Sequence, residues 1–271
     1  MLEHLKEASR LVGEAIKGMP GTERAAGDFG RGAGGDVSRR IDMVAEEAVL
    51  DYLRGSGVEC TVLGEECGRI QIGDDPRGFV IMDAIDGSAN AVRGLPFFCC
   101  SLAFAEDNRL STITDGVVAD LSAGDTYWAS KGRGAFCNGS PMQVHRGGLP
   151  YRIVGINTSG AGPELMGRLQ HVYGNHNHTR HLGANALEMA LLAAGLMDVF
   201  IDFRGKIRIQ DAAAGCLLVR EAGGIVLDEN LKELDSALDY SVRLSFAAAS
   251  DRAVLDTVLT GDGSSPWTGL G

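Results

Sequence analysis

The segment Phe79-Val80-Ile81-Met82-Asp83-Ala84-Ile85-Asp86-Gly87-Ser88-Ala89-Asn90 constrains this chain more than any other. Its opening apolar run reads as a buried strand, and two aspartates three residues apart follow at the strand's end. Carboxylates there are expensive to leave unpaired. Burial raises their pKa unless cations compensate. Gly87 permits a sharp turn, and Ser88 presents a hydroxyl where a short helix can begin. A strand, paired Asp, Gly, Ser and a helix start together describe an oxyanion site beside a metal site. The competing reading is a plain turn, in which Asp83 and Asp86 serve only local hydrogen bonds.

Two further acidic segments tip that balance. Gly64-Glu65-Glu66 closes a β-like stretch, and Asp211 stands at the N-terminal end of an otherwise apolar helix. Alone, Asp211 reads as a helix cap. Three such segments, each at the mouth of a buried element, favour binding of a hard metal. All-oxygen ligands suit Mg²⁺ or Mn²⁺ rather than zinc. The six cysteines (Cys60, Cys67, Cys99, Cys100, Cys137 and Cys216) form no Cys-x-x-Cys pair and read as buried, reduced thiols.

Composition removes other classes. With Asp+Glu 36 against Lys+Arg 25, the formal charge is −11, which argues against a nucleic-acid partner. That acidity fits either a solvated surface or a site that gathers cations. An apolar fraction of 45% excludes a disordered chain. The densest apolar stretch, Phe97 to Ala105, is far short of the ~20 residues of a membrane-spanning helix. Charges through the first ten residues interrupt the apolar core a signal peptide needs, so the expected compartment is the cytoplasm.

Periodicity predicts helices over residues 2 to 17, 38 to 54, 163 to 172, 184 to 194, 211 to 221 and 252 to 259. Strands are expected around 60 to 63, 79 to 82, 98 to 105, 116 to 119, 126 to 129, 152 to 157, 198 to 202, 225 to 227 and 244 to 248. The expected organisation is layered α and β in one unit: an N-terminal α+β half (1–148), a C-terminal α/β half (149–260) and a frayed tail (261–271). Residues 18 to 35 form a glycine-rich loop, one concentration of the 38 glycines. Within it Gly30-Arg31-Gly32-Ala33-Gly34-Gly35 matches a dinucleotide fingerprint, but no strand precedes it. His176, His178 and His181 fall in a polar segment and read as a solvated loop rather than a metal site.

Gly64-Glu65-Glu66, Asp83 to Asn90, Asp211-Ala-Ala-Ala-Gly, Glu221-Ala-Gly-Gly and Lys131-Gly-Arg-Gly-Ala-Phe-Cys-Asn-Gly together resemble the inositol monophosphatase family, a Mg²⁺-dependent branch of the fructose-1,6-bisphosphatase superfamily. The resemblance runs from about residue 36 to 250. It implies a layered αβαβα sandwich of the sugar-phosphatase type and a homodimer. It further implies that Glu65, Asp83 and the Ile85 carbonyl hold a first Mg²⁺, and Asp83, Asp86 and Asp211 a second. A third ion would use Glu65 and Asp36, with Glu66 in support, and Mn²⁺ can substitute. The phosphate would lie on the backbone N–H groups of Gly87 and Ser88, with Ser88 and Glu65 orienting the attacking water. Gly183-Ala184-Asn185 would contact the sugar.

Departures from the family pattern sharpen the substrate. Ala84, Ser88 and Gln210 stand where Pro, Thr and Trp are usual. Arg204 stands where inositol-preferring members carry Glu, so a second anionic group on the substrate is expected. This resembles archaeal-type members acting on both inositol 1-phosphate and fructose 1,6-bisphosphate. A strict inositol monophosphatase is the alternative, and a nucleotide 3′-phosphatase or NADP phosphatase is a more distant one.

Overall fold

The computed structural model describes residues 1–27, 30, 32–33, 38–147, 150–174 and 176–261. Arg31, Gly34, Gly35 and Asp36 lie outside the described residues.

Two sheets carry the fold. The first comprises β1 (Cys60–Gly64), β2 (Gly68–Ile72), β3 (Phe79–Asp86), β4 (Cys99–Ala105), β5 (Ile113–Asp120), β6 (Thr126–Ser130), β7 (Ala135–Cys137) and β8 (Ser140–Met142). Its strand order is β2-β1-β3-β4-β5-β6-β7-β8, antiparallel except for the β1–β3 pair. The second comprises β9 (Arg152–Ile156), β10 (Asn177–Arg180), β11 (Val199–Ile207), β12 (Ile225–Asp228) and β13 (Leu244–Ala249), in the order β10-β9-β11-β13-β12.

Strand alternation splits the core into layers. On β3, Val80, Met82 and Ala84 face one way and join Leu5, Val12, Ile41, Ala45 and Val49 of α1 (Leu2–Ala15) and α2 (Arg40–Gly55). Ile81 faces the other way, toward α5 (Asn185–Ala193) and α6 (Ile209–Glu221). Those two helices are sandwiched between the sheets, so α6 is buried from Ile209 through Val219 and its apolar residues run all round. The far face of the second sheet packs on α7 (Arg252–Thr260). Two sheets and seven α-helices therefore stack as α, β, α, β, α among the described residues.

Several local expectations need correcting. The His176–His181 segment is not a solvated loop: residues 177–180 form β10, paired in parallel with β9. The strand expected at 198 to 202 extends to Ile207, and the helix expected from Asp211 starts at Ile209. Cys67 and Cys137 are half-buried, whereas the other four thiols are buried. No helix among the described residues is long and apolar enough to cross a membrane.

Candidate active site

The parallel pair β1–β3 and the start of α6 converge on one cavity of about 460 Å³. Its lining includes Asp42, Glu65, Glu66, Asp83, Ile85, Asp86, Gly87, Ser88, Gly183 and Asp211. Glu65 sits on the turn after β1. Asp83 and Asp86 share β3, where the register slips between them, so the strand kinks and brings both carboxylates to the cavity. Asp211 lies in the first turn of α6, and its Oδ2 accepts from the Arg208 N–H at 3.1 Å. The capping role and the functional role thus belong to one side chain.

One carboxylate oxygen each from Glu65, Asp83 and Asp211 lies within 4.8 Å of the others. Like charges held this close in a buried site favour protonation unless a cation intervenes. Burial, then the charge of Asp211, pushes Glu65 up to about 8. Burial and the charges of Glu65, Asp86 and Asp211 hold Asp83 well above the usual carboxylate range. Asp86 rises to about 8 from burial and Asp211, although it accepts from the Ala186 N–H at 2.6 Å. The donor set fits a hard divalent cation, because it is all oxygen, anionic and convergent.

Gly87 joins β3 to α3 (Ser88–Arg93) with φ 89°, a left-handed conformation that glycine adopts without strain. A Cβ there would stand 3.1 Å from both the Ala184 Cβ and the Phe97 carbonyl oxygen. The Ser88 hydroxyl donates to the Ile85 carbonyl at 2.9 Å, and the first N–H groups of α3 have no partners within their own helix.

The remaining expected residues are placed unequally. Gly183 lines the cavity, Ala184 packs against Gly87, and Asn185 opens α5. Glu66 lines the cavity and accepts from the Ser38 hydroxyl. Arg204 is elsewhere. Its guanidinium forks onto Asp202, with Nε at 2.9 Å from Oδ1 and Nη2 at 2.5 Å from Oδ2, and Nη1 donates to the Ser159 carbonyl. Asp202 is fully buried and Arg204 only partly exposed, so the guanidinium is held in an ion pair and does not line this cavity. The Lys131–Gly139 stretch also lies away from the cavity, with the Gly132 and Gly134 N–H groups donating to Glu221 at the end of α6.

Sequence reasoning missed Asp42, Arg39 and Arg208, all of which line the cavity. Asp42 is raised to about 6 by burial, with the nearby Ser88 hydroxyl and the Arg39 N–H acting against that rise. Arg208 Nη1 donates to Glu65 Oε1 at 2.5 Å. A signal was present: α2 and α6 both open on Arg-x-x-Asp, Arg39 to Asp42 and Arg208 to Asp211. Glu188 was also missed. Buried behind the cavity, it accepts from the Gly183 N–H at 3.3 Å and is pushed up to about 8 by burial.

An αβαβα stack with a carboxylate cluster beside a helix start defines a metal-dependent phosphatase architecture. The sequence matches the inositol monophosphatase family over residues 1–260, and the chain belongs to that family of phosphoric monoester hydrolases. A fructose-1,6-bisphosphatase/inositol-1-monophosphatase of Methanothermobacter thermautotrophicus is 34% identical over 263 residues, covering 92% of this chain and 91% of that protein. A bifunctional NADP phosphatase/NAD kinase of Methanococcus maripaludis is 28% identical, over 93% of this chain and 47% of that protein. A solved inositol monophosphatase–fructose 1,6-bisphosphatase superposes with a TM-score of 0.82 at 27% identity, covering 95% of this chain and 97% of the other.

Proposed function

We propose that this chain is a Mg²⁺-dependent phosphatase that hydrolyses both inositol 1-phosphate and fructose 1,6-bisphosphate. The observation that carries the proposal is the convergence of Glu65, Asp83 and Asp211 beside the Gly87–Ser88 helix start. The relative from M. thermautotrophicus is named for both activities.

Glu65, Asp83 and the Ile85 carbonyl would hold one cation, and Asp83, Asp86 and Asp211 another; Glu65 and Asp36 would serve a third, with Glu66 in support. Among the described residues, six carboxylates line the cavity against two guanidinium groups, a formal excess of four negative charges that two divalent cations would neutralise. Mn²⁺, with the same preference for oxygen, would substitute. Bound there, the cations supply Lewis-acid activation of water and neutralisation of the phosphate charge.

The chain's own groups then divide the work. The Gly87 and Ser88 N–H groups hold phosphate oxygens at the positive end of α3. Because the Ser88 hydroxyl donates to Ile85, its oxygen is left to accept a hydrogen bond and so orient a water. Glu65 would orient the same water. Gly183, with Ala184 and Asn185 following it into α5, would meet the sugar or polyol. Ligands from residues 1–148 and Asp211 from residues 149–260 would complete one site between the two halves of the chain. We further propose a homodimer, which light scattering of the purified protein would show at twice the 28.5 kDa chain mass.

The test is a phosphate-release screen of purified protein, with Mg²⁺ or EDTA, over inositol 1-phosphate, fructose 1,6-bisphosphate, 3′-phosphoadenosine 5′-phosphate and NADP. Mg²⁺-dependent release from the first two is expected. Turnover of NADP alone would favour the activity named for the M. maripaludis relative. Turnover of inositol 1-phosphate alone would mark a strict inositol monophosphatase.

A further inference from the structure

Of the proposed ligands Asp83, Asp86, Asp211 and Glu65, only Glu65 sits on a turn rather than in a strand or helix. A turn has no ladder to fix its side chains, so its direction depends on whatever grips the backbone. Here both peptide groups flanking Glu65 are gripped. The carboxylate of Glu46, one helical turn beyond Asp42 on α2, accepts from the Glu66 N–H at Oε1 and from the Cys67 N–H at Oε2, both at 2.8 Å. On the preceding side, the Tyr240 hydroxyl donates to the Gly64 carbonyl at 2.9 Å, reaching across 176 residues of sequence.

The fit is close. Glu46 is only 3% exposed, and a Cβ at residue 64 would fall 2.8 Å from Glu46 Oε1 and 2.5 Å from Cys67 Sγ. Gly64 is therefore what lets the carboxylate reach the turn. We propose that Glu46 and Tyr240 are positioning residues: by clamping the Gly64–Cys67 turn they aim the Glu65 carboxylate at Asp83 and Asp211, and so set the cation affinity of the site without ligating the cation. The functional meaning of this clamp rests on the metal-dependent reading above. Glutamate suits the role because an ionised carboxylate accepts at both oxygens, whereas glutamine would face one N–H donor with its own NH₂. Groups that orient a ligand from behind are commonly worth ~10–100-fold in metal affinity.

The test uses the full chain with Tyr240→Phe, Glu46→Gln and Glu46→Asp. Mn²⁺ binding is read by the loss of the free-ion EPR signal, and kcat is read against Mg²⁺ concentration. Tyr240→Phe removes one hydroxyl and keeps the ring, so it carries the test even if Glu46→Gln fails to fold. We expect the Mn²⁺ Kd to rise about tenfold in Tyr240→Phe and in Glu46→Gln. We also expect kcat to recover at raised Mg²⁺, KM for the phosphate ester at saturating Mg²⁺ to stay near wild type, and Glu46→Asp to restore part of the affinity. A Kd within about twofold of wild type in Tyr240→Phe, or lost activity that Mg²⁺ does not rescue, overturns the proposal. Wild-type protein that binds no Mn²⁺ refutes the metal reading itself, which separates the two failures.

Discussion

Without divalent cations, the folded protein should lose stability as the pH rises. Glu65 and Asp86 are each pushed up to about 8, Asp83 well above its usual range and Asp42 to about 6, with burial the largest cause in every case. An acid whose folded pKa is raised keeps its proton in the native state after the unfolded chain has released it. Below the ordinary carboxylate range both states are protonated and the effect is nil. From about pH 4.5 to about 8 the native state binds more protons, so unfolding becomes easier as pH increases. At ~1.4 kcal/mol per pH unit, the rise of Glu65 from 4.5 to about 8 corresponds to a destabilisation on the order of 5 kcal/mol. That is comparable with the whole stability of many domains, ~5–15 kcal/mol. Mg²⁺ should remove the effect by replacing the protons, since binding to the native state alone stabilises it. Urea unfolding followed by circular dichroism between pH 5 and pH 8 reads this directly. In EDTA the midpoint should fall with pH, and in saturating Mg²⁺ it should not. A midpoint in EDTA that is flat or rising, or one that Mg²⁺ leaves unchanged, would refute the linkage.

Arg204→Gln should act on stability more than on specificity, because it strands the fully buried Asp202. Breaking such a pair costs ~3–5 kcal/mol, which thermal unfolding would register as a drop on the order of 10 °C. A stable variant that loses only fructose 1,6-bisphosphate hydrolysis would return Arg204 to the substrate. Gly87→Ala should cost ~1–3 kcal/mol from the left-handed backbone and lower kcat as the new methyl displaces the Ala184 loop; kinetics close to wild type would show that the turn tolerates a side chain. Ser88→Ala should lower kcat ~100-fold without changing Mn²⁺ affinity, and Ser88→Thr should retain activity. Equal rates for Ser88→Ala and wild type would remove the hydroxyl from the chemistry.

Much of this architecture was legible because burial imposes periodicity. The helices α1, α2 and α7 show apolar stripes, and β3 and β4 read as buried strands from their mainly apolar runs, residues 79–82 and 99–105. β10 was not legible. Asn-His-Thr-Arg is a polar edge strand, and nothing in its composition separates it from a loop until β9 is beside it. The candidate ligands stood out where a carboxylate marked one end of an apolar element, Asp83 and Asp86 after the apolar run of β3 and Asp211 at the start of α6. Asp42 and Glu46 were hidden inside an amphipathic helix, where acidic residues are expected on the solvated face. Their burial follows only from how α2 docks on the first sheet. Arg204 carries the opposite lesson. Asp202 and Arg204 are two apart on β11 and so share a face, and that spacing already offered Asp202 as the partner.

The central claim is that Glu65, Asp83 and Asp211 form a cation-dependent phosphatase site, and Asp211→Asn tests it most directly. Asparagine keeps an oxygen that can accept from the Arg208 N–H, so the fold should survive while the anionic ligand is lost. Phosphate release from fructose 1,6-bisphosphate and inositol 1-phosphate, measured with saturating Mg²⁺, should be robust in wild type and abolished in the folded variant. Full turnover by Asp211→Asn, or wild-type turnover indifferent to EDTA, would contradict the account.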